Sequence, residues 1–401
     1  MATILFLTHK IPDPTHSDVV SVYYFIKELR SHGHMVYLFS VSPSQKHGNY
    51  LLNDLLNYCD EIKVITGDYS LSKRVLYIFH PKFILRHFKL KYPPVLLDLY
   101  YNPRVEEELN KFVKDKNIDV IFATRQMAIY TLGFNSISKV IQPYDAVSEW
   151  HRQVSEVSAK ITLKILYKIT TYLTRIYEKI IYPRFDKILV VTTIDKKILK
   201  QLTPELNTFV LPNGVDINYF NPSNFKNKDK CSLVFVSNMS GEPTVSNVLW
   251  FYRSVFQKIK KEFPKVKLYL VGKDPAPEIQ ALRKDPNVIG TGTVKDVRPY
   301  ISSASVVVIP MIAGTGIKNK TLEALAMGKA VVSTHIGIQG INGENLKHFI
   351  VADSPKHFSD AVIYLLHNPK IRKKLGYFAR KLIIQKYSWH EIGKKINKII
   401  H

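Results

Sequence analysis

The chain has 401 residues, 46% of them apolar, and a formal net charge of +24 from 57 Lys and Arg against 33 Asp and Glu. This length exceeds what one hydrophobic core usually serves, so two domains are expected. Two cysteines exclude a disulfide framework and favour a reducing compartment. The sequence contains no apolar run of about 18 residues, so no membrane span is predicted. The charge favours phosphates, anionic lipid or nucleic acid as partners, unless it reflects a lysine-rich composition on solvated faces.

The first half of the chain alternates short apolar segments with helical ones. The N-terminal ATILFLTH predicts a buried strand and lacks the basic leader of a signal peptide. A helix is predicted from Asp18 to Ser31, ending at Gly33, and a long one over residues 161–182, closed by Pro183. Further strands are predicted at MVYLFSV, DVIFAT, KVIQPY and DKILVVTT. Apolar strands alternating with helices indicate a parallel sheet covered on both faces.

A polar segment then separates this half from a second alternation. TFVLPNGVDINYFNPSNFKNKDK contains two prolines, an Asn-Gly turn and a lysine-rich tail, which is typical of a linker. Beyond it, strands are predicted at CSLVFVSN, VKLYLVGK, NVIGTG, SVVVIPM and AVVST, and an amphipathic helix at VSNVLWFYRSVFQKIKKEF. In open α/β sheets ligands bind beyond the carboxyl ends of the strands, so two facing sheets would form a binding cleft.

The stretch GTGIKNKTLEALAMGKAVVST carries the chemistry of the second half. Gly314 and Gly316 allow a tight turn that leaves room for a ligand. A helix is predicted from Thr321 to Met327, with Gly328 at its C-terminal end. Free N–H groups and a partial positive charge at its N-terminus suit a diphosphate.

Two lysines and one glutamate complete this candidate site. Lys318 and Lys320 can add positive charge for a diphosphate. Glu323, expected in the first turn of the helix, can accept hydrogen bonds from two vicinal ribose hydroxyls. The alternative is a carboxylate that only complements the helix dipole.

Four ordered motifs resemble one family. PMIAGTGIKNKTLEALAMGKAVVSTHIGIQGI is similar to the donor-binding segment of the family 4 retaining glycosyltransferases of GT-B fold. The other three are VLPNGVDINYFNP, VSNMSGEPTVSNVLWFYRSVFQKIKKEFP and TGTVKDVRPYISSASVVVIP. The resemblance implies an α/β protein with two Rossmann-like, doubly wound parallel-sheet domains facing across a cleft. Residues 1–212 would form the acceptor-side domain and residues 213–384 the donor-binding domain, with a helix at about 385–401, near Trp389, crossing back.

The resemblance also implies roles for single residues on the donor side. Glu323 would hold the ribose, while the first glutamate of the family motif falls at Thr315, which becomes a catalytic candidate together with Lys320. The loop SNMSGEPTVSN lacks the Arg and Lys that relatives direct at the diphosphate, so the charge must come from elsewhere. For Arg298 a surface salt bridge is the alternative. The predicted donor-binding residues are Glu323, Lys318, Gly314, Gly316, Ile317, Arg298 and Asn238. No metal ligand and no cofactor are implied.

The acceptor side matches the family less closely. HKIPDPTHSDVVSVYYF has Ser17 and Asp18 where relatives carry a glycine-rich loop, and capping of the next helix is the favoured role of Asp18. In QPYDAVSEW, Asp145 falls where relatives carry a catalytic histidine or aspartate; a helix N-cap is the alternative. Arg125 ends another strand and is a third acceptor-side candidate. Glu178 is expected on the surface among lysines, with a cleft or interdomain role as the alternative.

Residues 71–94 are basic and aromatic, without an acid. Their cations are Lys73, Arg74, Lys82, Arg86, Lys89 and Lys91. This composition suits anionic lipid; nucleic acid and a core-facing helix pair with a solvated basic side are the alternatives.

The sequence therefore predicts a retaining, metal-independent hexosyltransferase, cytoplasmic or peripheral at the inner membrane face. It would move a sugar from a nucleoside diphosphate to a lipid-linked glycan, a surface polysaccharide or another glycan. The alternatives are a GT-B sugar-nucleotide epimerase, a DNA-modifying glucosyltransferase, a non-catalytic sugar-nucleotide-binding protein and a purely nucleic-acid-binding protein.

Overall fold

A computed structural model describes residues 1–15, 18–42, 49–66, 80–90, 101–158, 161–225, 231–273 and 275–400. The chain divides into two compact units. The first comprises Met1–Glu149, Lys168–Leu211 and Ile392–His401, and the second comprises Trp150–Tyr167 and Pro212–Glu391. Each unit contains one parallel sheet flanked by helices, which confirms the predicted α/β class. The domain boundaries predicted from the sequence, 1–212 and 213–384, stay predictions.

The first unit is built on a seven-stranded parallel sheet. Its strands are β1 (Thr3–Thr8), β2 (Met35–Ser42), β3 (Glu61–Thr66), β4 (Val120–Thr124), β5 (Ser138–Tyr144), β6 (Lys187–Val190) and β7 (Thr208–Val210). They lie in the order β3-β2-β1-β4-β5-β6-β7, and Ile4 of β1 pairs with Val36 on one side and Val120 on the other. The order reverses between β1 and β4, so the carboxyl ends of these strands are the expected ligand position.

The first half of the chain contains seven described α-helices, two of which begin with a capping side chain. They are α1 (Val20–Ser31), α2 (Asn49–Leu55), α3 (Pro81–Leu90), α4 (Pro103–Lys114), α5 (Val147–Val157), α6 (Ile161–Ile181) and α7 (Thr193–Leu202). Asn102 caps α4 by accepting a hydrogen bond from the Arg104 N–H, with proline at the first helical position. Thr192 caps α7 in the same way. The core between helices and sheet includes Leu5, Phe39 and Ile121, all fully buried.

The second unit repeats the pattern with six parallel strands. They are β8 (Ser232–Val236), β9 (Lys267–Val271), β10 (Val288–Gly292), β11 (Val306–Ile309), β12 (Val331–Ser333) and β13 (Ile350–Val351), in the order β10-β9-β8-β11-β12-β13. Leu233 of β8 pairs with Leu268 of β9 and Val306 of β11. The reversal point lies between β8 and β11, and the loop that follows β11 is the glycine-bearing turn.

Helices also alternate with the strands in this half of the chain, and the last of them continues from Ile392 into the first unit. They are α8 (Glu242–Trp250), α9 (Gln257–Glu262), α10 (Pro277–Ala281), α11 (Arg298–Ser303), α12 (Asn319–Ala326), α13 (Pro355–His367), α14 (Pro369–Lys386) and α15 (Trp389–Ile400). A π-helical segment, Phe251–Phe256, joins α8 to α9, so the single amphipathic helix predicted there has one wide turn that buries Phe251, Val255 and Phe256. Short 3₁₀ segments occupy Arg125–Thr131, Tyr182–Arg184, Pro222–Asn224 and Leu282–Lys284.

The last helix is tied down at both ends. Trp389 at its start is buried, and a Cβ on Gly214 would lie 2.6 Å from its ring, so glycine is required in the Asn-Gly turn for packing. Near its end, Asn397 Oδ1 lies 2.8 Å from His34 Nε2, and Lys187 Nζ donates to the Ile399 carbonyl at 2.5 Å. None of the described helices is both long and apolar enough to cross a membrane.

Candidate functional site

The loop between β11 and α12 folds around a lysine. Gly314 (φ 134°) and Gly316 (φ 67°) lie in the left-handed region, which favours glycine. The Lys318 ammonium donates to the carbonyls of Thr315 at 2.6 Å and Gly316 at 2.9 Å. Lys318 therefore shapes the loop from inside. Thr315 and Ile317 are themselves buried in this turn.

Amide side chains from elsewhere in the second unit hold the same loop. Asn247 of α8 accepts a hydrogen bond from the Ile312 N–H at 2.8 Å, and Gln153 accepts one from the Gly314 N–H at 2.9 Å. The Thr334 hydroxyl donates to a loop carbonyl at 2.6 Å. Sequence analysis missed these residues. Asn247 could have been noticed as an amide on the apolar side of the predicted α8, whereas Gln153 carries no local signal.

Helix α12 begins at Asn319, two residues earlier than predicted, so Glu323 lies further from the helix N-terminus than expected. The Lys318 carbonyl accepts hydrogen bonds from the N–H groups of Thr321 and Leu322, so the helical ladder starts at Lys318 and the first helical residue is Asn319. Glu323 is the fifth residue and lies in the second turn, so the expectation that it occupies the first turn was wrong. Its carboxylate is therefore not one of the groups at the helix N-terminus.

Lys320 and Glu323 form the charged centre of this segment. Lys320 Nζ donates to both carboxylate oxygens of Glu323, at 2.8 and 2.9 Å. The Lys320 side chain is 43% exposed and that of Glu323 only 11%. Burial raises the pKa of Glu323, against the lowering effect of Lys320. The structure thus places a solvent-accessible ammonium over a nearly buried carboxylate, directly after the glycine turn.

The other two predicted donor-side residues have contacts of their own. Arg298 forms a forked pair with Asp296, donates to the Tyr219 carbonyl at 3.0 Å and stacks 3.6 Å from the Tyr219 ring. Its guanidinium therefore connects the start of α11 to the NGVDINYF segment, and a role of Arg298 in donor binding stays a prediction. Asn238, after β8, accepts hydrogen bonds from the N–H and hydroxyl of Ser240 in a local turn.

In the first unit, charged side chains gather at the end of β1. Lys10 Nζ lies 2.5 Å from Asp18 Oδ2, and His9 Nε2 lies 3.8 Å from the same oxygen, too far for a hydrogen bond. The His9 ring and the Lys10 ammonium hold the pKa of Asp18 below its usual range. Burial lowers the pKa of His9, against the raising effect of Asp18. His9 was not among the candidates predicted from the sequence, although it directly follows β1.

Asp18 does not cap α1, contrary to the expectation. The helix begins at Val20, and its N-cap position, Val19, makes no side-chain hydrogen bond. The carboxylate of Asp18 is held back towards β1 by Lys10 instead. Ser17, the other residue predicted in this loop, lies outside the described residues.

Arg125 and Asp145 meet at the carboxyl ends of β4 and β5. Arg125 Nη1 lies 3.7 Å from Asp145 Oδ1, and both side chains are partly exposed. The preceding residue, Tyr144, has a positive φ of 71°, and its hydroxyl donates to the Asp18 carbonyl at 2.6 Å. This bond connects the turn that carries Asp145 to the loop after β1.

Glu178 of α6 is buried, contrary to the surface position expected for it. It is 1% exposed and accepts hydrogen bonds from the Ser148 N–H at 3.1 Å and the Ser148 hydroxyl at 2.5 Å. Burial raises its pKa to about 7. Thr171 and Thr174 lie seven and four residues before Glu178, on the same face of the helix. Because these residues are polar, the sequence pattern alone assigns this face to solvent. Only packing against α5 shows that it points inward.

Among the residues that the structure describes, no group of three or more His, Cys, Asp or Glu is arranged to hold a metal ion.

Comparison with known proteins connects this geometry to a family. The profile described as "Glycosyltransferase Family 4" matches residues 19–219, and that described as "Glycosyl transferases group 1" matches residues 230–368. An uncharacterized 44.6 kDa protein in the cps region of Klebsiella pneumoniae is 21% identical over 99% of this chain and 100% of its own length.

Solved structures share the two-domain architecture. Sucrose-phosphate synthase from Thermosynechococcus elongatus superposes with a TM-score of 0.71 at 15% identity, covering 99% of this chain and 98% of that one. A TarM variant from S. aureus, in complex with fondaparinux, alpha-GlcNAc-glycerol and UDP, gives 0.69 at 12% identity, with 100% of both chains covered. The fold is therefore GT-B, as predicted. Since the first profile spans half of the chain, this protein belongs to glycosyltransferase family 4 and is a glycosyltransferase.

Proposed function

We propose that the protein transfers a hexose from a nucleoside-diphosphate sugar to a glycan acceptor, with retention of anomeric configuration and without a metal ion. The observation that carries this proposal is the Lys320–Glu323 pair, which follows the glycine turn at the N-terminus of α12. The TarM variant crystallised with UDP and glycans shares the fold, which supports this class of donor and acceptor.

The pair offers complementary contacts to the two halves of a nucleotide. Both oxygens of Glu323 accept hydrogen bonds from one ammonium, so two vicinal ribose hydroxyls can replace that ammonium in the same directions. The freed Lys320 ammonium then pairs with the diphosphate, close to the positive end of the α12 dipole. Lys318 contributes through the loop that it shapes, because its ammonium is bound to the carbonyls of Thr315 and Gly316.

We propose a front-face reaction. The acceptor hydroxyl oxygen attacks the anomeric carbon from the side on which the diphosphate leaves, and the bond from that carbon to the β-phosphate oxygen breaks. The departing phosphate oxygen takes the proton of the acceptor hydroxyl. Lys320 and the α12 N–H groups stabilise the negative charge that develops on the diphosphate. Thr315, at the place of the family's first motif glutamate, supplies a hydroxyl and backbone groups toward the sugar in place of a carboxylate.

The first unit is proposed to serve the acceptor. Asp145 and Arg125, 3.7 Å apart, lie at the carboxyl ends of adjacent strands, where ligands of such sheets bind. Asp145 is the proposed catalytic residue of this unit, and Arg125 and Asp18 are proposed to orient the acceptor.

A lipid-linked acceptor at the cytoplasmic face of a membrane is the favoured form. Helix α3 is the described part of the basic segment 71–94. It exposes Phe88 at 80% and Ile84 and Leu85 at about half of their area, between Lys82 and Lys89. Aromatic and aliphatic side chains among lysines are suited to a negatively charged lipid surface.

Calorimetric titration of UDP, GDP and ADP, each compared with its nucleoside, tests the donor site. Lys320→Ala should weaken binding of the preferred diphosphate about tenfold or more, equal to about 1.4 kcal/mol, and leave the nucleoside almost unaffected. Glu323→Ala should weaken both, because both contain the ribose. Lys347→Ala is the matched control, since Lys347 forms a 2.7 Å surface pair with Glu344 at the same three-residue separation.

Incubation of the bound sugar nucleotide with glycan acceptors then tests the reaction itself. Mass spectrometry should detect the transferred hexose, NMR should show an unchanged anomeric configuration, and EDTA should leave turnover intact. Equal loss of diphosphate and nucleoside binding in Lys320→Ala would contradict the assigned diphosphate contact. Conversion of the donor alone into an isomeric sugar nucleotide would identify an epimerase instead.

A further inference from the structure

The exposed face of α6 is unusually apolar. Ile161 is 68% exposed, Tyr172 is 67% exposed, and Ile165, Leu166 and Ile169 are each 54% exposed. Isolated apolar side chains on a surface are ordinary, but a contiguous row along one helix marks an interaction surface.

The buried face of the same helix mixes polar and apolar side chains. The residues buried there are Thr170, Thr171, Thr174, Tyr177, Glu178 and Ile181. A helix on the surface of a globular protein normally directs its apolar stripe towards the core and its polar residues towards solvent. Packing within this protein therefore accounts for the buried residues, and it does not account for the exposed isoleucines.

The apolar and basic residues on this side of α6 form two parallel rows. At about 100° per residue, one row comprises Ile161, Ile165, Ile169 and Tyr172, and the neighbouring row comprises Lys164, Lys168 and Arg175. The apolar row lies within an arc of about 80° and is about 17 Å long. Lys179 continues the basic surface towards the end of the helix. The single acid of α6 is Glu178, which is buried on another side.

We propose that this face of α6 docks onto an anionic lipid bilayer. The apolar row would enter the boundary between headgroups and acyl chains, and the basic row would contact lipid phosphates. A second copy of the chain fits poorly, because it would bring a basic row against another one in a protein of net charge +24. Nucleic acid fits poorly too, since three of the four residues in the apolar row are isoleucines, which do not stack on bases as an aromatic ring such as that of Tyr172 does.

This docking face lies on the same helix as a residue that supports the acceptor-side turn. Glu178, near the other end of α6, binds Ser148, three residues after Asp145. A bilayer bound along the first half of α6 would therefore act on a helix that contacts the proposed acceptor site. The inference goes beyond the proposed function, and lipid binding can be measured without any sugar transfer.

Vesicle flotation with the full-length protein tests the proposal. The wild type should bind vesicles of phosphatidylcholine with phosphatidylglycerol and bind phosphatidylcholine alone weakly. The double substitution Ile165→Ser with Ile169→Ser should reduce binding to the anionic vesicles about tenfold. Ile194→Ser is the matched control, because Ile194 is also about half exposed but lies on α7; it should bind like the wild type.

A variant without the basic row tests the contribution of charge separately from that of the apolar row. The triple substitution Lys164→Gln, Lys168→Gln and Arg175→Gln should remove the preference for vesicles that contain phosphatidylglycerol. High salt should weaken vesicle binding of the wild type but not that of this variant. Circular dichroism melts should show every variant folded, since none of the substituted side chains is buried.

Three outcomes would overturn the proposal. Unchanged vesicle binding in the isoleucine variant would do so, as would binding lost only in the α3 variant Phe88→Ser. A wild type that sediments as a dimer, with an isoleucine variant that sediments as a monomer, would show that the face is covered by a second copy.

Discussion

Glu178 should make the stability of the first unit depend on pH. Burial raises the pKa of its carboxyl from 4.5 to about 7 in the folded protein, so between these values the folded state binds the proton more tightly than the unfolded state. Its stabilising effect is fully present below about pH 4.5 and is lost as the pH rises through about 7. Glu178→Gln cannot ionise, and its amide oxygen can still accept from the Ser148 N–H.

The size of the effect follows from the pKa values. One pKa unit corresponds to about 1.4 kcal/mol, so the rise from 4.5 to about 7 is worth about 3 kcal/mol in full. Between about pH 5 and pH 8 most of this is lost, about 2–3 kcal/mol. Asp145, whose charge also raises the pKa of Glu178, is present in both proteins.

Urea unfolding of the wild type and of Glu178→Gln at several pH values measures this quantity. The wild-type free energy of unfolding, relative to that of the variant, should fall by about 2–3 kcal/mol from about pH 5 to pH 8. In thermal melts this corresponds to about 5–10 °C for a unit of this size. Glu205→Gln, an exposed glutamate of the same unit, is the matched control and should parallel the wild type.

Two results would refute the reasoning. A stability difference that stays constant over this pH range would show that Glu178 does not titrate in the folded protein. A wild-type stability that rises with pH relative to that of the variant would contradict a raised pKa of Glu178.

Three further predictions concern the second unit. Gly376→Ala should destabilise by about 1–3 kcal/mol or more, because its Cβ would lie 1.9 Å from the Gly328 carbonyl; Gly133→Ala, where a Cβ meets nothing within 4 Å, is the control. Equal melting temperatures would contradict that contact. Arg298→Lys should cost about 1–3 kcal/mol in urea unfolding, because lysine lacks the fork and the stacking plane; no loss would refute its anchoring role. Asn247→Ala should weaken UDP binding in calorimetry by releasing the glycine loop, and unchanged affinity would refute that support.

Local patterns in the sequence determined most of the strands, the longer helices and the order in which they alternate. The period of apolar residues depends only on neighbours a few positions apart, so ten of the thirteen described strands and the long α6 were predicted close to their observed bounds, whereas β3, β7 and β13 were not predicted. The glycine turn before α12 was equally readable, since Gly314 and Gly316 mark conformations that other residues rarely adopt.

The tertiary structure alone decided which side chains these elements direct inward and toward one another. The burial of Glu178 depends on Ser148, thirty residues away, and the anchoring of Arg298 depends on Tyr219, seventy-nine residues away. Likewise, the exposed isoleucines of α6 follow the same period that a buried face would have. A helical period establishes that a face exists; only the packing of distant segments determines whether protein or solvent covers it.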